Sequence, residues 1–292
     1  MFKDVTKLVK NLSGVMVIGV GVLAANNALG AIADTKHNLS ASGGGVNSFS
    51  GTEEICVFCH TPHGSDTSAS VPLWNRVLPL GDSYQTYDSL GTSTLDGSVS
   101  HTVGSVSIAC LSCHDGTTAM DVMINAPTDP TTGASNYSPS GIRITGSWTG
   151  PASATDGQLN YDSIAFIDTD LRNDHPIGIQ YAGGGITATN HADNTTFAGV
   201  MGDPDFNAPY KATINGNAVW WVDVDADGIR DKTDMQLYTR NDLQYAADGT
   251  SLGINEPSVE CASCHNPHTS ETATFLRMAN TGSALCLACH VK

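Results

Sequence analysis

All eight cysteines of this 292-residue chain fall into four copies of one pentapeptide. They are Cys56-Val-Phe-Cys59-His60, Cys110-Leu-Ser-Cys113-His114, Cys261-Ala-Ser-Cys264-His265 and Cys286-Leu-Ala-Cys289-His290. Two thiols three residues apart can each form a thioether to one vinyl group of a haem. The histidine that follows then stands under the iron and supplies its proximal nitrogen. This spacing is the signature of c-type haem attachment. Four disulfides, two zinc ions held by paired Cys-x-x-Cys units or redox-active dithiols would also use the cysteines. None of the three explains why histidine follows the second cysteine in every copy. The expectation is therefore four haems c, with Cys56, Cys59, Cys110, Cys113, Cys261, Cys264, Cys286 and Cys289 as thioether donors. The proximal ligands are expected to be His60, His114, His265 and His290.

Six histidines remain: His37, His63, His101, His175, His191 and His268. Two of them extend a motif, as Cys59-His60-Thr-Pro-His63 and Cys264-His265-Asn-Pro-His268. Proline forces the residue before it out of the helical region and ends the turn. The second histidine is then aimed away from its own iron and towards a neighbouring one. The other two motifs lack the extension, so long and short motifs alternate. Segments 55–76 and 260–277 repeat one another, as do the runs leading into Cys110 and Cys286, which reads as two dihaem modules. That pattern assigns His63 to the haem on Cys110 and Cys113, and His268 to the haem on Cys286 and Cys289. Methionine is the competing distal ligand, but Met120, Met123, Met201, Met235 and Met278 are expected to pack instead.

On these residues the chain resembles multihaem cytochromes with the doubled Cys-x-x-Cys-His motif, including Cys-His-x-Pro-His and Cys-Leu-Ser-Cys-His-Asp-Gly. In that family, histidines in a Lys-His-Asn-Leu-like segment and in an Asp-His-Pro-Ile-Gly segment commonly serve as distal ligands. The matching residues here are His37 and His175. They would complete four bis-histidine haems with His63 and His268, leaving His101 and His191 in reserve, each read first as a surface or structural histidine. The resemblance covers both haem-bearing regions, but reaches the stretch from Thr117 to Asn255 only at His175.

The N-terminus carries Lys3, Lys7 and Lys10, then an apolar run from Val15 to Ala25 and a stretch of small residues. This pattern reads as a secretory signal peptide over residues 1–30, too short for a comfortable membrane span. Residues 31–292 would form one cytochrome domain: a first dihaem module over about 31–120, an insertion over about 121–255 and a second module over about 256–292. Without Lys3, Lys7, Lys10 and Asp4, the 13 basic and 29 acidic residues become 10 and 28, a net charge of −18. Such a surface argues against nucleic acid as a partner. Aromatic residues make up only 7%, little for a conventional core, so the macrocycles themselves are expected to fill it. The fold class expected is mostly irregular coil with short helices and a few short β-strands, folded around a chain of four closely spaced haems.

The insertion alternates small polar residues with short apolar runs such as Ile164-Ala-Phe-Ile and Ala218-Val-Trp-Trp-Val. They read as short strands and long loops, either an irregular cover or a small β-rich unit. Within it, Asp223, Asp225, Asp227, Asp231 and Asp234 occupy positions 1, 3, 5, 9 and 12 of a loop with Gly228 at 6. Ile229, at position 7, would give a backbone carbonyl. That is the oxygen spacing of a calcium loop, closer to those of dockerins and thrombospondin repeats, which it resembles over this dozen residues; a solvated acidic turn is the alternative.

Two histidines on each iron leave no position for a substrate, so the expectation is electron transfer rather than catalysis. The chain further resembles extracellular tetrahaem cytochromes that polymerise into conductive filaments, in which a distal histidine comes from the next subunit. The resemblance implies a secreted homo-polymer exchanging electrons with other cytochromes or extracellular acceptors. His37, just past the cleavage region, is the expected donor in trans, unless it folds back onto the first haem of its own chain. A monomeric periplasmic shuttle is the alternative, and a multihaem reductase a more distant one.

Overall fold

The structure, a computed structural model, describes residues 32–44, 47–127, 136–150, 156–240 and 256–292. The expected signal peptide and parts of the 121–255 insertion lie outside the described residues.

Three short α-helices among the described residues each carry a cysteine motif, whose thiols must share a face. They are α1 (Ser107–His114), α2 (Cys261–Cys264) and α3 (Ala284–Cys289), with a single 3-10 turn at Cys56–Phe58 doing the same work in the first motif. Two small antiparallel pairs flank the first half: β1 (Ser48–Phe49) with β4 (Trp148–Thr149), and β2 (Val122–Ala126) with β3 (Asn136–Arg143). The largest sheet has the order β5-β9-β8-β7-β6 and is antiparallel throughout. Its strands are β5 (Ile179–Gln180), β6 (Tyr210–Ile214), β7 (Asn217–Val222), β8 (Met235–Thr239) and β9 (Pro257–Val259).

The insertion is therefore β-rich rather than an irregular cover, and β9 in the second module completes its sheet. Ala218-Val-Trp-Trp-Val lies within β7, where Trp220, Trp221 and Val222 are buried. The β6–β7 hairpin closes through Asn215-Gly216, both at positive φ, the backbone that a two-residue turn matched to strand twist demands. Ile164-Ala-Phe-Ile, expected as a strand, is instead a pair of tight turns. Ser163 N–H donates to Asn160 O and Phe166 N–H to Ser163 O. Ile164 is 95% exposed, so no apolar face holds the segment extended.

Three small apolar clusters replace a single core. Phe49, Val57, Phe58 and Met123 form one beside the first motif. Trp74, Tyr84, Val103, Ile108, Ala109 and Leu111 form another around α1. The third joins Tyr181, Ile186, Phe197, Trp220, Met235 and Leu237 to Ala288 of α3. Met120, Met123 and Met235 are buried, while Met201 and Met278 pack against the third cluster. Among the described residues no helix is long and apolar enough to cross a membrane.

Candidate haem attachment sites

Each motif folds as one helical turn. Residues at i, i+3 and i+4 share a helical face, so both thiols and the following histidine emerge on the same side. The turn is closed by backbone bonds from the histidine to the first cysteine: His60 N–H to Cys56 O at 2.8 Å, His265 N–H to Cys261 O at 3.1 Å and His290 N–H to Cys286 O at 2.9 Å. In the second motif the same residues complete α1. All eight cysteines are free thiols in the structure. Among the described residues the one group of side chains close enough to share a metal ion is Asp223, Asp225 and Asp227, with no cysteine or histidine in it.

Three proximal histidines are oriented by one device. His60 Nδ1 meets Pro72 O at 2.9 Å, His114 Nδ1 meets Ala165 O at 2.7 Å and His265 Nδ1 meets Thr274 O at 2.9 Å. A carbonyl accepting from Nδ1 fixes the tautomer and leaves Nε2 as a lone-pair donor, the arrangement that metal-ligating histidines use. His114 thus explains the turn at 164–167, whose Ala165 carbonyl holds the ring. His290 is positioned differently, with its ring 4.3 Å from Phe206 and a backbone bridge between the two residues.

Other histidines come up to these rings. His268 stands with its ring centre 6.1 Å from that of His60, the planes 19° apart. His37 stands 6.1 Å from His114, held by stacking on Phe275 at 4.3 Å and by Pro267 O at 3.3 Å from its Nδ1. Two metal–imidazole bonds of about 2 Å each, plus the two half-rings, require roughly 6 Å between ring centres. Both pairs have the spacing for an iron between them. Burial, and then the neighbouring His114, hold His37 down at about 4; burial, and then His60, lower His268. Neutral imidazoles are the form a metal binds. His175 Nδ1 meets Pro176 O at 3.0 Å, and the ring lies near enough to His290 to lower it further after burial has done so.

The pairing differs from the sequence assignment in two places. His268 faces His60, not the motif of Cys286 and Cys289, and the ring facing His114 is His37 rather than His63. His37, half-buried, stands by His114 rather than by its own first motif. Sequence neighbours suggested partners, but the two modules interleave, so the extension of the third motif reaches back to the first. His63 and His101 are exposed, and among the described residues no ring faces His265 at such a distance. His191 is buried with both ring nitrogens at carbonyls, Ala192 O at 2.8 Å and Pro209 O at 2.9 Å. It is a structural residue between Phe197 and Trp220.

The motifs adjoin in chain order. Burial pushes the Cys59 thiol to about 12, and nearby Cys113 adds to the rise. Hydrogen bonding to Cys261, followed by burial, raises Cys110. Burial raises Cys264, with smaller contributions from Cys261 and from Cys286 in the fourth motif. The α1–α2 joint is polar and closed: Ser107 Oγ donates to Glu260 Oε2 and accepts from Cys261 N–H at 3.0 Å. Arg240 pairs with Glu260 at 3.0 Å, both side chains buried. None of these joint residues stood out in the sequence, since only the fold brings Ser107 to Glu260.

The residues fit a haem on two further counts. The buried Trp74 Nε1, beside the His60 ring, has no hydrogen-bond partner within the protein, so a donor is left for an acceptor group such as a propionate. Four thiol pairs, each followed by an imidazole, match the haem's two vinyl carbons and one axial position.

In the aspartate loop, Asp223, Asp225 and Asp227 bring carboxylate oxygens within 4.8 Å of one another. Asp231 and Asp234 are not in that group. Asp234 is buried, accepting from Val224 N–H and Asp231 N–H, and Asp231 accepts from Thr233 and Asp234. Ile229 N–H donates to Asp227.

No curated protein matches the chain. Residues 256–292 match the family model described as the doubled CXXCH motif. That match and the geometry of its motifs support a multihaem c-type cytochrome involved in electron transfer.

Proposed function

We propose that this cytochrome carries four bis-histidine haems in the order of its motifs and acts as a secreted electron conduit assembled from many copies. When bound, each haem supplies a one-electron couple at low potential, as bis-histidine ligation does relative to histidine–methionine. The chain's own residues do the rest. Cysteine pairs would anchor each haem, carbonyls of Pro72, Ala165 and Thr274 orient the motif histidines, and His268 and His37 would serve as second ligands to irons held by His60 and His114. His175 serves the iron of His290. With those three positions closed to substrate, the reading is an electron carrier rather than an enzyme. The observation that carries the reading is the pair of 6.1 Å histidine gaps.

Because His37 is engaged with its own chain's His114, the ring offered to the next subunit is the exposed His63. Electron microscopy of protein secreted by its native host, with mass spectrometry for haem content, tests this. Filaments with four haems per chain are expected. His63→Ala should release discrete particles, whereas His37→Ala should keep filaments and alter the spectrum of one haem. Discrete particles from the unaltered protein would instead favour the monomeric periplasmic shuttle, a reading helped by His37 serving at home.

We further propose that Asp223, Asp225 and Asp227 hold a structural calcium ion, with Asp231 and Asp234 shaping the loop rather than ligating. Burial raises Asp225, and the charges of Asp227, Asp231 and Asp223 raise it further, a repulsion that a divalent cation would relieve. Calcium should then raise the melting temperature and Asp225→Asn should abolish the rise; a melting temperature indifferent to calcium and chelator would end the idea.

A further inference from the structure

The two modules repeat an arginine after each long motif, Arg76 and Arg277, yet the structure treats them differently. Arg76 is wholly buried. Its five N–H groups are all spent on neutral acceptors: Ser112 Oγ at 3.2 Å, Met120 O at 2.9 Å, Val122 O at 3.1 Å, Ser112 O at 2.8 Å and Ala119 O at 3.1 Å. A guanidinium has five donors and no acceptor, so none is left for a haem propionate. Among the described residues no carboxylate stands within ion-pair distance of it. The nearest buried acids in sequence are otherwise engaged, Asp121 with Arg143 at 3.0 Å and Asp115 with Tyr84 and Thr117. Arg277 is only half-buried and bonds Ala262 O and Lys232 O. Arg240, equally deep, is neutralised by Glu260.

Arg76 also sits between the first two attachment motifs. The adjoining Asn75 N–H donates to Cys59 O at 2.9 Å and its side chain to Val57 O at 2.6 Å, while Arg76 itself grips Ser112, next to Cys113. Oxidising a haem iron adds one positive charge, and a fixed positive charge in a poorly screened interior opposes that.

We infer that Arg76 is a potential-setting residue, a buried charge that raises the reduction potential of the haem held at Cys56 and Cys59 and so biases where electrons rest along the chain. This rests on the haem-carrying reading above. The Coulomb energy of one charge about 10 Å away at an effective dielectric near 20 exceeds what a tenfold ratio requires.

The test is a haem-resolved redox titration of the intact protein by NMR, with haem content counted separately. Arg76→Gln should lower the first haem's potential, changing its oxidised-to-reduced ratio about tenfold at fixed applied potential, or ~59 mV for one electron. Arg76→Lys, which keeps the charge and loses the fork, should hold the potential near the original value. Equal shifts in both variants would mean packing rather than charge and would overturn the inference, as would no shift in Arg76→Gln. In the unaltered protein the first haem should titrate above the second, whose His114 adjoins the buried Asp115; the reverse order would also overturn it, even if neither variant folds. Four haems per chain with no such ordering would leave the carrier role standing while this inference fell.

Discussion

Histidine is the residue on which this molecule turns, and its ten copies divide by what holds Nδ1. Rings anchored by a carbonyl at Nδ1 with Nε2 left over are ligand-like, whereas His191, bound at both nitrogens, is closed. The turn that brings each motif histidine beside its two thiols was legible in the sequence because its requirement is local: i, i+3 and i+4 on one turn. Which histidines stand opposite one another was not legible, since the gap between His268 and His60 is created by tertiary interleaving. Replacing His268 with alanine should therefore convert one haem of four to a high-spin, ligand-accessible form, visible as a new absorption band, and that haem should be the one on Cys56 and Cys59. A change confined to the fourth haem would restore the sequence assignment and refute the structural one.

At the scale of elements, helices one or two turns long cannot hold themselves together, so contacts between them must. The joint of α1 and α2 is the clearest case. Ser107, Glu260 and Arg240 bind across 153 residues of sequence, and Glu260 also forms a reciprocal capping box with Ser263 at the start of α2. Removing one member of a buried ion pair strands the other, at a cost of roughly 3–5 kcal/mol. Glu260→Ala should lower stability by about that much in denaturant unfolding, with a smaller loss for Glu260→Gln, which retains the bond to Ser107. Equal stability of Glu260→Ala and the unaltered chain would remove the joint from this role. The hairpin of β6 and β7 was legible through Asn215-Gly216 and the tryptophan run, but the turns at 160–167 were not. Their apolar residues look strand-like, and only the demand of His114 for a carbonyl explains the shape.

Across the whole molecule, three separate apolar clusters each border a cysteine motif, which agrees with the sparse aromatic content seen in the sequence. Composition could suggest that the core is divided; it could not say that Phe58, Leu111 and Ala288 would each anchor one piece. The charge pattern was readable only as a total. Where the uncompensated cation sits, at Arg76, depends on which carbonyls surround it and not on its neighbours in sequence. The same limit applies to the order of the attachment points, which run from the first motif to the fourth by contacts between cysteines far apart in the chain.

Those contacts also bear on how the protein is made. The neighbouring Cys261 raises the Cys110 thiol, and Cys113 adds to the rise at Cys59. Wherever the surroundings are oxidising, facing thiols of this kind invite a bridge between motifs. A chain that folded before loading would risk locking its attachment points shut in the wrong partnership. Attaching haem to an open chain, ahead of folding, would avoid that outcome.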